Sequence, residues 1–552
     1  MMIRKLHVTI LAIFALHMNA VTAQTSSQPS ANSSLNKPKL VVGLVIDQMR
    51  WDYLYRYNAK YSANGFNRLL AQGFSFENTL IPYTPTYTAA GHASVYTGSV
   101  PAINGIMGNN WYDKPSSSSV YCTDDSTVSA VGSTSPAGEM SPVNMWTTTV
   151  GDELRLSNNF QSKVVGIALK DRGAILSAGH SANAAYWYDE SVGKFISSTY
   201  YMNALPKWVD DFNNQDLPAK YMKENWNTLY PIKDYKLSTA DDKPYESALS
   251  GEKLAVFPHK MAEVTTGKYS LFKFTPYANT YTFDFAKKVI ESEKMGKGNV
   301  TDFLAVSISS TDYIGHSFGP NSIEIEDTYY RLDKDIAEFL NYLDATLGKN
   351  NYLFFLTADH GVAHVPAFMR ENKLPSNVYS DFAILKEINT SLEQEFGLKN
   401  ILLTAMNYQF YINTEAVEKN GKDLAAIKRF VIKALLAKPF IINAFETAAI
   451  AGATLPEPQK TMMINGYNPK RSGDIMFTVL PGYFSGGVKG TTHGLWNPYD
   501  AHIPNVWFGW NVPKGETSRE TYMTDIAPTV AALLKIQAPN GNVGKALTEI
   551  TK

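Results

Sequence analysis

An unbroken run of seven residues without a charged or polar side chain, Leu-Val-Val-Gly-Leu-Val-Ile at 40–46, most constrains the fold of this chain. Because the run is not broken at alternate positions, it is typical of a strand buried on both faces of a parallel sheet. Similar runs recur at 164–169, 303–308, 352–356 and 506–510. Helical patterns at 322–347 and 526–536 separate some of them. The alternation predicts an α/β fold with a doubly wound, mostly parallel sheet flanked by helices.

Long stretches interrupt this alternation and predict segments inserted into a catalytic domain that spans residues 38–552. Residues 181–298, rich in Tyr, Trp, Asn and Lys, are interpreted as a cap. Residues 365–470 form a second predicted insertion, with a helical pattern near 425–436. The Ser/Thr-rich stretch at 112–142 is interpreted as an ordered excursion or a long loop.

The first residues have the pattern of a secretory signal peptide. Arg4 and Lys5 precede an apolar run at 8–16, and Val-Thr-Ala at 21–23 supplies small residues for cleavage. The apolar run is shorter than the roughly 20 residues of a membrane-spanning helix. We therefore predict a signal peptide at 1–23 and a disordered, Ser/Asn/Gln-rich leader at 24–37. The mature protein is expected to be exported to the periplasm or the medium, without a stable membrane anchor.

Composition narrows the possible functions. With 50 Lys and Arg against 51 Asp and Glu, the chain has neither the broad basic surface of a nucleic-acid reader nor the charge of an acidic disordered chain. Cys122 is the only cysteine, which excludes a disulfide framework and a Cys-rich metal site. Because 44% of the residues are hydrophobic, the chain can bury a large core, and we interpret it as an enzyme.

Carboxylates and imidazoles follow the predicted strands, where α/β proteins place their chemistry. Carboxylate and imidazole ligands without thiolates favour a catalytic Zn²⁺ site. Two metals about 4 Å apart can clamp the attacking and leaving oxygens of a phosphoryl transfer. A single set of two His and one carboxylate also suits Fe(II) oxygenase chemistry, which a second set disfavours. The two candidate sets are Asp312, His316 and His493 for one metal and Asp47, Asp359 and His360 for the other.

Thr88 is the candidate nucleophile. It precedes a run of small residues, Ala-Ala-Gly at 89–91, which can open a helix whose N–H groups would meet an anion. A metal bound to the hydroxyl oxygen would favour the alkoxide. The alternative is that Thr88 only caps the helix.

The order of these motifs along the chain is distinctive. They are Val-Ile-Asp47, Thr88-x-x-Gly-His, Gly-Asn109-Asn, Asp312-x-x-x-His316, Asp359-His360-Gly, His493 and Thr524-Asp-Ile-Ala-Pro-Thr529. From about residue 38 to the C-terminus the chain resembles the alkaline phosphatase superfamily. Within it, the chain resembles the PafA-type alkaline phosphatases, which are related to the nucleotide pyrophosphatase/phosphodiesterases.

The resemblance implies a role for each residue. Thr88 would attack phosphorus and carry the phosphoryl group, and Asn109 would donate its amide to a phosphate oxygen. Lys170 and Arg172 match the pair that marks the PafA-type enzymes. One zinc would contact Thr88 and be bound by Asp47, Asp359 and His360. A second zinc would stabilise the leaving oxygen and be bound by Asp312, His316 and His493.

Lys170 and Arg172 bear on substrate class. A phosphate monoester carries two negative charges on its terminal oxygens, whereas a diester has one of these oxygens blocked. Two added cations therefore favour the monoester. Taken without the resemblance, Lys-Asp-Arg at 170–172 equally suits a solvated turn.

The sequence thus predicts an exported hydrolase of phosphate monoesters with two zinc ions per chain and a phospho-threonine intermediate. The nearest alternative is a phosphodiesterase or nucleotide pyrophosphatase on the same scaffold. A sulfatase is disfavoured because no Cys or Ser lies in a C/S-x-P-x-R segment near Thr88. A different class is an exported metal-binding protein without turnover, whose aromatic insertions bind a carbohydrate or a surface. Nucleic acid is not an expected partner, and the sequence indicates neither the physiological substrate nor the oligomeric state.

Overall fold

The structure is a computed structural model that describes residues 37–551. The predicted signal peptide at 1–23 and the predicted leader up to residue 36 lie outside the described residues. Within the described part of the chain, no helix is both long and apolar enough to cross a membrane.

The strands are numbered in chain order. They are Leu40–Ile46 (β1), Phe74–Leu80 (β2), Asn110–Asp113 (β3), Ser118–Tyr121 (β4), Ala130–Val131 (β5), Val164–Ala168 (β6), Ala184–Asp189 (β7), Lys194–Ser198 (β8), Asp302–Ile308 (β9), Tyr352–Thr357 (β10), Asn377–Tyr379 (β11), Leu402–Met406 (β12), Gln409–Ile412 (β13), Ile441–Glu446 (β14), Ile475–Val479 (β15), Tyr483–Ser485 (β16), His502–Ile503 (β17), Asn505–Gly509 (β18) and Gly515–Tyr522 (β19).

The α-helices are numbered in the same way. They are Tyr53–Arg56 (α1), Phe66–Gln72 (α2), Thr88–Thr97 (α3), Pro101–Asn104 (α4), Val150–Ser157 (α5), Asp171–Ala178 (α6), Lys207–Asn213 (α7), Leu217–Tyr221 (α8), Lys268–Phe272 (α9), Tyr277–Ser292 (α10), Ser310–Phe318 (α11), Ile323–Leu347 (α12), Pro366–Glu371 (α13), Asp381–Phe396 (α14), Thr414–Lys419 (α15), Leu424–Leu436 (α16), Gln459–Asn465 (α17), Pro498–Ala501 (α18), Ile526–Leu534 (α19) and Thr548–Thr551 (α20).

Within residues 37–551, eleven strands form the main sheet, in the order β17-β2-β18-β10-β1-β9-β6-β7-β8-β5, with β19 paired to β2. β1 lies at its centre and pairs in parallel with β9 and β10, and every residue of β1 is buried. β6 extends the parallel part beyond β9. A strand with both faces covered by helices must be apolar throughout, which is why the sequence shows continuous runs and not alternation.

The predicted α/β fold is confirmed, and the five predicted strands correspond to β1, β6, β9, β10 and β18. The predicted helices at 322–347, 526–536 and near 425–436 correspond to α12, α19 and α16. β18 runs antiparallel to β10. Its run of apolar residues could not distinguish the two directions, because burial on both faces gives the same pattern in either one.

The segment predicted as a cap at 181–298 contributes β7 and β8 to the main sheet. Its later part packs aromatic rings against these strands, as in the stacked pair of Phe195 in β8 and Phe285 in α10, with centroids 4.0 Å apart. Buried Asp327 of α12 ties this segment down by accepting from Trp226 Nε1 at 2.8 Å. The limits of the insertion stay a prediction.

The segment predicted as the second insertion builds a smaller sheet in the order β12-β13-β15-β14. It has a hydrophobic core of its own, into which α16 places Ile427, Val431 and Leu435 at a spacing of four residues, on one helical face. β15 joins this sheet from beyond residue 470 because both β13 and β14 pair with it.

The Ser/Thr-rich stretch at 112–142 is ordered. The hairpin of β3 and β4 overlaps its start, and β5 joins the edge of the main sheet. Cys122, directly after β4, is buried.

Candidate active site

Four neighbouring parallel strands end at one edge of the main sheet and bring charged side chains together there. Asp47 directly follows β1, Lys170 follows β6, Asp359 follows β10, and Asp312 lies in the first turn of α11, after β9. The ammonium of Lys170 lies 2.8 Å from Asp47 Oδ2 and 2.5 Å from Asp312 Oδ2. The side chains of all four residues are at most 4% exposed.

Helix α3 aims Thr88 at this cluster. Thr88 is the first residue of the helix, and Tyr87 occupies the cap position. The Thr88 hydroxyl oxygen lies 3.3 Å from His360 Nε2 and 3.5 Å from Lys170 Nζ. The cap interpretation of Thr88 is therefore wrong, because this hydroxyl faces the charged cluster and makes no capping hydrogen bond to the helix.

A glycine allows α3 to approach so closely. A Cβ atom placed on Gly91 would lie 2.5 Å from both the Cβ and the backbone oxygen of Asp359. The first turn of the helix therefore rests directly on the backbone that carries Asp359 and His360, which accounts for the Gly in Thr88-x-x-Gly-His.

The three imidazoles of the cluster are oriented by the main chain. Nδ1 of His316 lies 2.8 Å from the carbonyl oxygen of Thr491, and Nδ1 of His493 lies 2.7 Å from that of Thr86. Nδ1 of His360 lies 2.9 Å from the carbonyl oxygen of Gly361. A carbonyl only accepts hydrogen bonds, so each Nδ1 carries a proton, and in the neutral form of each ring the Nε2 lone pair is left to bind a metal.

Among residues 37–551, two groups of side chains have ligand atoms close enough to hold a metal ion. In each, one ligand atom per residue lies within 4.8 Å of the others; the groups are Asp47, Asp359 and His360, and Asp312, His360 and His493. His360 belongs to both, but one Nε2 lone pair serves one metal. His316 lies outside these two tight groups, with its Nε2 3.2 Å from Asp312 Oδ1.

The donor set fits a divalent cation. Oδ1 of Asp47 and Oδ2 of Asp359 are buried and have no hydrogen-bond partner among the described residues. They lie 3.5 Å and 3.4 Å from His360 Nε2. Buried carboxylate oxygens are costly without a partner, and a metal ion would satisfy both.

The electrostatics of the cluster are set by burial and by the close charges. Burial raises the pKa of Asp47 well above its usual range, and the charge of Asp359 adds to this. The pKa of Asp312 is held well below its usual range against burial, chiefly by His316 and then by Lys170. Burial and the neighbouring His360 lower the pKa of His493, which keeps the imidazole in the neutral form that binds metals.

Asn109 lies beside the start of α3. Its side-chain oxygen accepts from the backbone N–H of Ala89 at 3.0 Å, which orients the amide at the helix N-terminus. A cleft of about 270 Å³ opens at this point, lined by Tyr87, Asn109, Asn110, Met406 and Asn407. The hairpin of the smaller sheet thus supplies one wall of the cleft.

Arg172 lies in the first turn of α6 and lines one cavity together with Lys170. Its Nη1 donates to the hydroxyl of Tyr121 at 2.9 Å. Burial opposes the charge, but the surroundings, Tyr121 and Asp171 first among them, raise the pKa of Arg172 well above its usual value. The guanidinium therefore stays charged, and its side chain is only 17% exposed. A solvated turn at 170–172 is excluded, because both cations are held inside the protein.

The sequence did not single out Gln48, which ties the carboxylates together. Its Nε2 donates to Asp312 Oδ1 at 2.7 Å, and its backbone N–H donates to Asp359 Oδ1 at 3.1 Å. Gln48 has a φ of 66°, in the left-handed region that is uncommon for residues other than glycine. A glutamine after a strand-end aspartate carries no recognisable signal, so only the structure reveals it.

Comparison with known proteins identifies the family. The model of the type I phosphodiesterase / nucleotide pyrophosphatase family matches residues 41–504. Over the full length of both chains, the protein is 51% identical to alkaline phosphatase PhoV of Synechococcus elongatus. It is 53% identical to a Myroides odoratus protein named calcium-transporting ATPase, over 94% of this chain and 96% of that one.

The third relative is alkaline phosphatase PafA of Elizabethkingia meningoseptica, which is 50% identical over 94% of this chain and 95% of that protein. The PafA crystal structure superposes with a TM-score of 0.92, covering 94% of this chain and 99% of that one. The chain therefore belongs to the type I phosphodiesterase / nucleotide pyrophosphatase family of the alkaline phosphatase superfamily. Within this family it is an enzyme of the PafA type, an alkaline phosphatase, which is a phosphoric monoester hydrolase.

Proposed function

We propose that this protein is an exported enzyme that hydrolyses phosphate monoesters at a site with two zinc ions, through a covalent phosphoryl group on Thr88. The observation that carries the proposal is the position of the Thr88 hydroxyl, at the N-terminus of α3 and 3.3 Å from His360 Nε2. The candidate nucleophile, the candidate metal-binding side chains and the N-terminus of α3 therefore lie next to one another.

The residues that would hold the metals form two sets of three. Asp47, Asp359 and His360 would form one set, and Asp312, His316 and His493 the other. His316 completes the second set because His360 serves the first, and its Nε2 lies 3.2 Å from Asp312 Oδ1. Bound zinc lowers the pKa of a hydroxyl or water that it contacts and neutralises charge on phosphate oxygens.

The protein side chains account for the rest of the reaction. Attack by the Thr88 oxygen forms an O–P bond to the enzyme, the bond between phosphorus and the leaving oxygen breaks, and the departing alcohol takes up the proton that the Thr88 hydroxyl loses. Water then cleaves the enzyme O–P bond, which releases phosphate and restores the Thr88 hydroxyl. The N–H groups at the start of α3 and the amide of Asn109 would stabilise the negative oxygens in both steps.

Lys170 and Arg172 set the substrate class in this proposal. Both are buried or nearly so, and burial strengthens their attraction to the second negative oxygen that a monoester exposes. Arg172 offers a planar fork, and Lys170 a point charge. The cleft beside Asn109 is open, so we propose that it accepts organic groups of different shape.

The second candidate function is hydrolysis of phosphodiesters or nucleotide pyrophosphates. It is favoured by the family description itself, which names a type I phosphodiesterase / nucleotide pyrophosphatase. The two cations argue for the monoester as the better substrate, because a diester presents only one negative oxygen.

Turnover of an aryl phosphate monoester, the matching aryl diester and the aryl sulfate should be compared on one preparation whose metal content is measured. We expect the highest kcat/KM for the monoester and about two zinc ions per chain. A higher kcat/KM for the diester would move the second candidate ahead. Analysis of the N-terminus of the protein recovered outside the cytoplasm tests export, with cleavage expected after Ala23.

A further inference from the structure

The hydroxyl of Tyr121, at the end of β4, lies between two charged side chains of α6, Asp171 and Arg172. It donates to Asp171 Oδ1 at 2.7 Å and accepts from Arg172 Nη1 at 2.9 Å. The direct separation of the two charged groups, Arg172 Nη1 to Asp171 Oδ1, is 3.8 Å. The phenol therefore bridges a pair that lacks a close hydrogen bond of its own.

A second hydroxyl holds the other end of this bridge. Thr123 Oγ1 donates to Asp171 Oδ2 at 2.8 Å, so both oxygens of the carboxylate are bound by residues from the end of β4 and the turn after it. Thr123 is fully buried, and Cys122 between the two is buried as well. This part of the Ser/Thr-rich stretch is thus packed firmly against the start of α6.

Arg172 depends on these contacts for its orientation. Its Nε atom is buried and has no hydrogen-bond partner among the described residues. A cavity of about 290 Å³ lies beside it, and Tyr121, Lys170, Tyr313 and Lys273 are among the lining residues. Because an arginine side chain has many rotamers, a guanidinium held at Nη1 alone loses much of its order once that contact is removed.

We propose that Tyr121 is a positioning residue that fixes the guanidinium of Arg172, and that the stretch from Tyr121 to Thr123 thereby sets the preference for monoesters. This inference rests on the proposed role of Arg172. The bridge requires a phenol that keeps its proton, because the O–H donates to Asp171. Burial raises the pKa of Tyr121 well above its usual value, which keeps the phenol protonated.

The test is Tyr121→Phe, which removes the hydroxyl and keeps the ring. Arg172 keeps its charge in this variant and loses only its orientation, so the effect should be smaller than that of Arg172→Ala. We expect monoester kcat/KM to fall by about 2- to 13-fold, the effect of one neutral hydrogen bond. Diester kcat/KM should change far less, so the ratio of the two falls. The matched control is Tyr112→Phe in β3, whose ring packs on Tyr411 with centroids 5.6 Å apart and is outside the bridge.

Two further variants distinguish this inference from the proposed function. Arg172→Ala should lower the same ratio, and adding Tyr121→Phe to it should cause no further loss, since groups that act as a unit are not additive. If Arg172→Ala leaves the ratio unchanged, the proposed role of Arg172 is wrong. If Arg172→Ala lowers the ratio but Tyr121→Phe does not, only the positioning inference is overturned.

A structural defect alone would lower both activities together and leave the ratio constant. Thr123→Val covers the case in which Tyr121→Phe does not fold, because it frees one oxygen of Asp171 and keeps the phenol. We expect it to lower the monoester-to-diester ratio in the same direction by about 2-fold or more. An unchanged ratio in Thr123→Val, with Tyr121→Phe unfolded or unchanged, overturns the inference.

Discussion

The Oγ1 atom of Thr88 lies 3.3 Å from Nε2 of His360, although the two residues are 272 positions apart in the chain. Thr88 begins α3, and His360 follows β10. Their meeting depends on the bare Cα of Gly91, which lets the helix rest on the backbone of Asp359. The distance between the Thr88 hydroxyl and the His360 ring is thus set by how closely α3 packs against the end of β10.

Thr88→Ala should lower monoester kcat by on the order of 10³-fold or more, because it removes the attacking oxygen. Thr88→Ser keeps a hydroxyl at the same place and should retain substantial activity. Both are measured by steady-state kinetics with metal content as a check on the site. Thr127→Ala, which removes an exposed hydroxyl bonded to Asp125, is the matched control and should match the parent. Full activity of Thr88→Ala would favour direct attack by water.

Removal of metal with a chelator should abolish turnover, and zinc alone should restore most of it. Metal ligands must be deprotonated to bind, so zinc affinity should fall as the pH drops and the imidazoles gain protons. Activity and bound zinc are measured on the same samples during titration with the metal. Full activity in a sample shown to contain no metal contradicts the two-zinc proposal.

Lys170→Ala and Arg172→Ala should each lower monoester kcat/KM by about 10- to 150-fold, the effect of one lost charge-assisted hydrogen bond. Diester kcat/KM should change far less. Lys170 also contacts Asp47 and Asp312, so zinc content must be compared in this variant. The measurement is the ratio of monoester to diester kcat/KM in the parent and in both variants. An unchanged ratio places the two cations outside the substrate site.

Gly91→Ala should push α3 away from β10, because the added Cβ would lie 2.5 Å from backbone and side-chain atoms of Asp359. Overpacking of this kind costs about 1–3 kcal/mol of stability. We expect a lower Tm and reduced zinc content, followed by loss of activity. Gly298→Ala is the control, since its added Cβ has only one neighbour at 4.0 Å. A Gly91→Ala protein with normal Tm and zinc content contradicts this view of the packing.

Glu246 gives a prediction about pH. Burial, and then the negative charge of Glu324, raises the pKa of Glu246 to about 10. The unfolded chain ionises this group above about pH 4.3, whereas the folded protein keeps the proton, so Glu246 makes the parent less stable as the pH rises from there towards 10. Glutamine is neutral at every pH and removes this loss.

Glu246→Gln should therefore be more stable than the parent at pH 9, and its advantage should be several kcal/mol larger at pH 9 than at pH 5, at the roughly 1.4 kcal/mol per pH unit that one retained proton implies. Chemical denaturation at both pH values measures the difference. Glu263→Gln, at an exposed position, serves as the control and should show no such trend. A Glu246→Gln protein that is less stable than the parent at pH 9 contradicts a protonated Glu246.

The sequence predicted the central sheet well because burial on both faces leaves a plain mark, the unbroken apolar run. It could not predict that β18 runs antiparallel, since direction depends on the connection between strands and not on burial. It placed Asp47, Asp312 and Asp359 near one another because parallel strands share an edge. The sequence did not predict roles for Gln48 and Tyr121, because these roles arise from contacts between segments far apart in the chain. Neither residue type indicates such a contact.

The hydrogen bonds from His316, His360 and His493 to main-chain carbonyls have a further consequence. The proton on each Nδ1 is anchored by backbone atoms, which no substitution of the residue at that position removes. The choice of Nε2 as the nitrogen without a proton in each neutral ring therefore depends on the position of the backbone. Arg172 and the walls of the cleft are side chains outside these hydrogen bonds. We therefore expect substitutions there to change which substrates are accepted while the three imidazoles keep the same ring nitrogen turned towards the site.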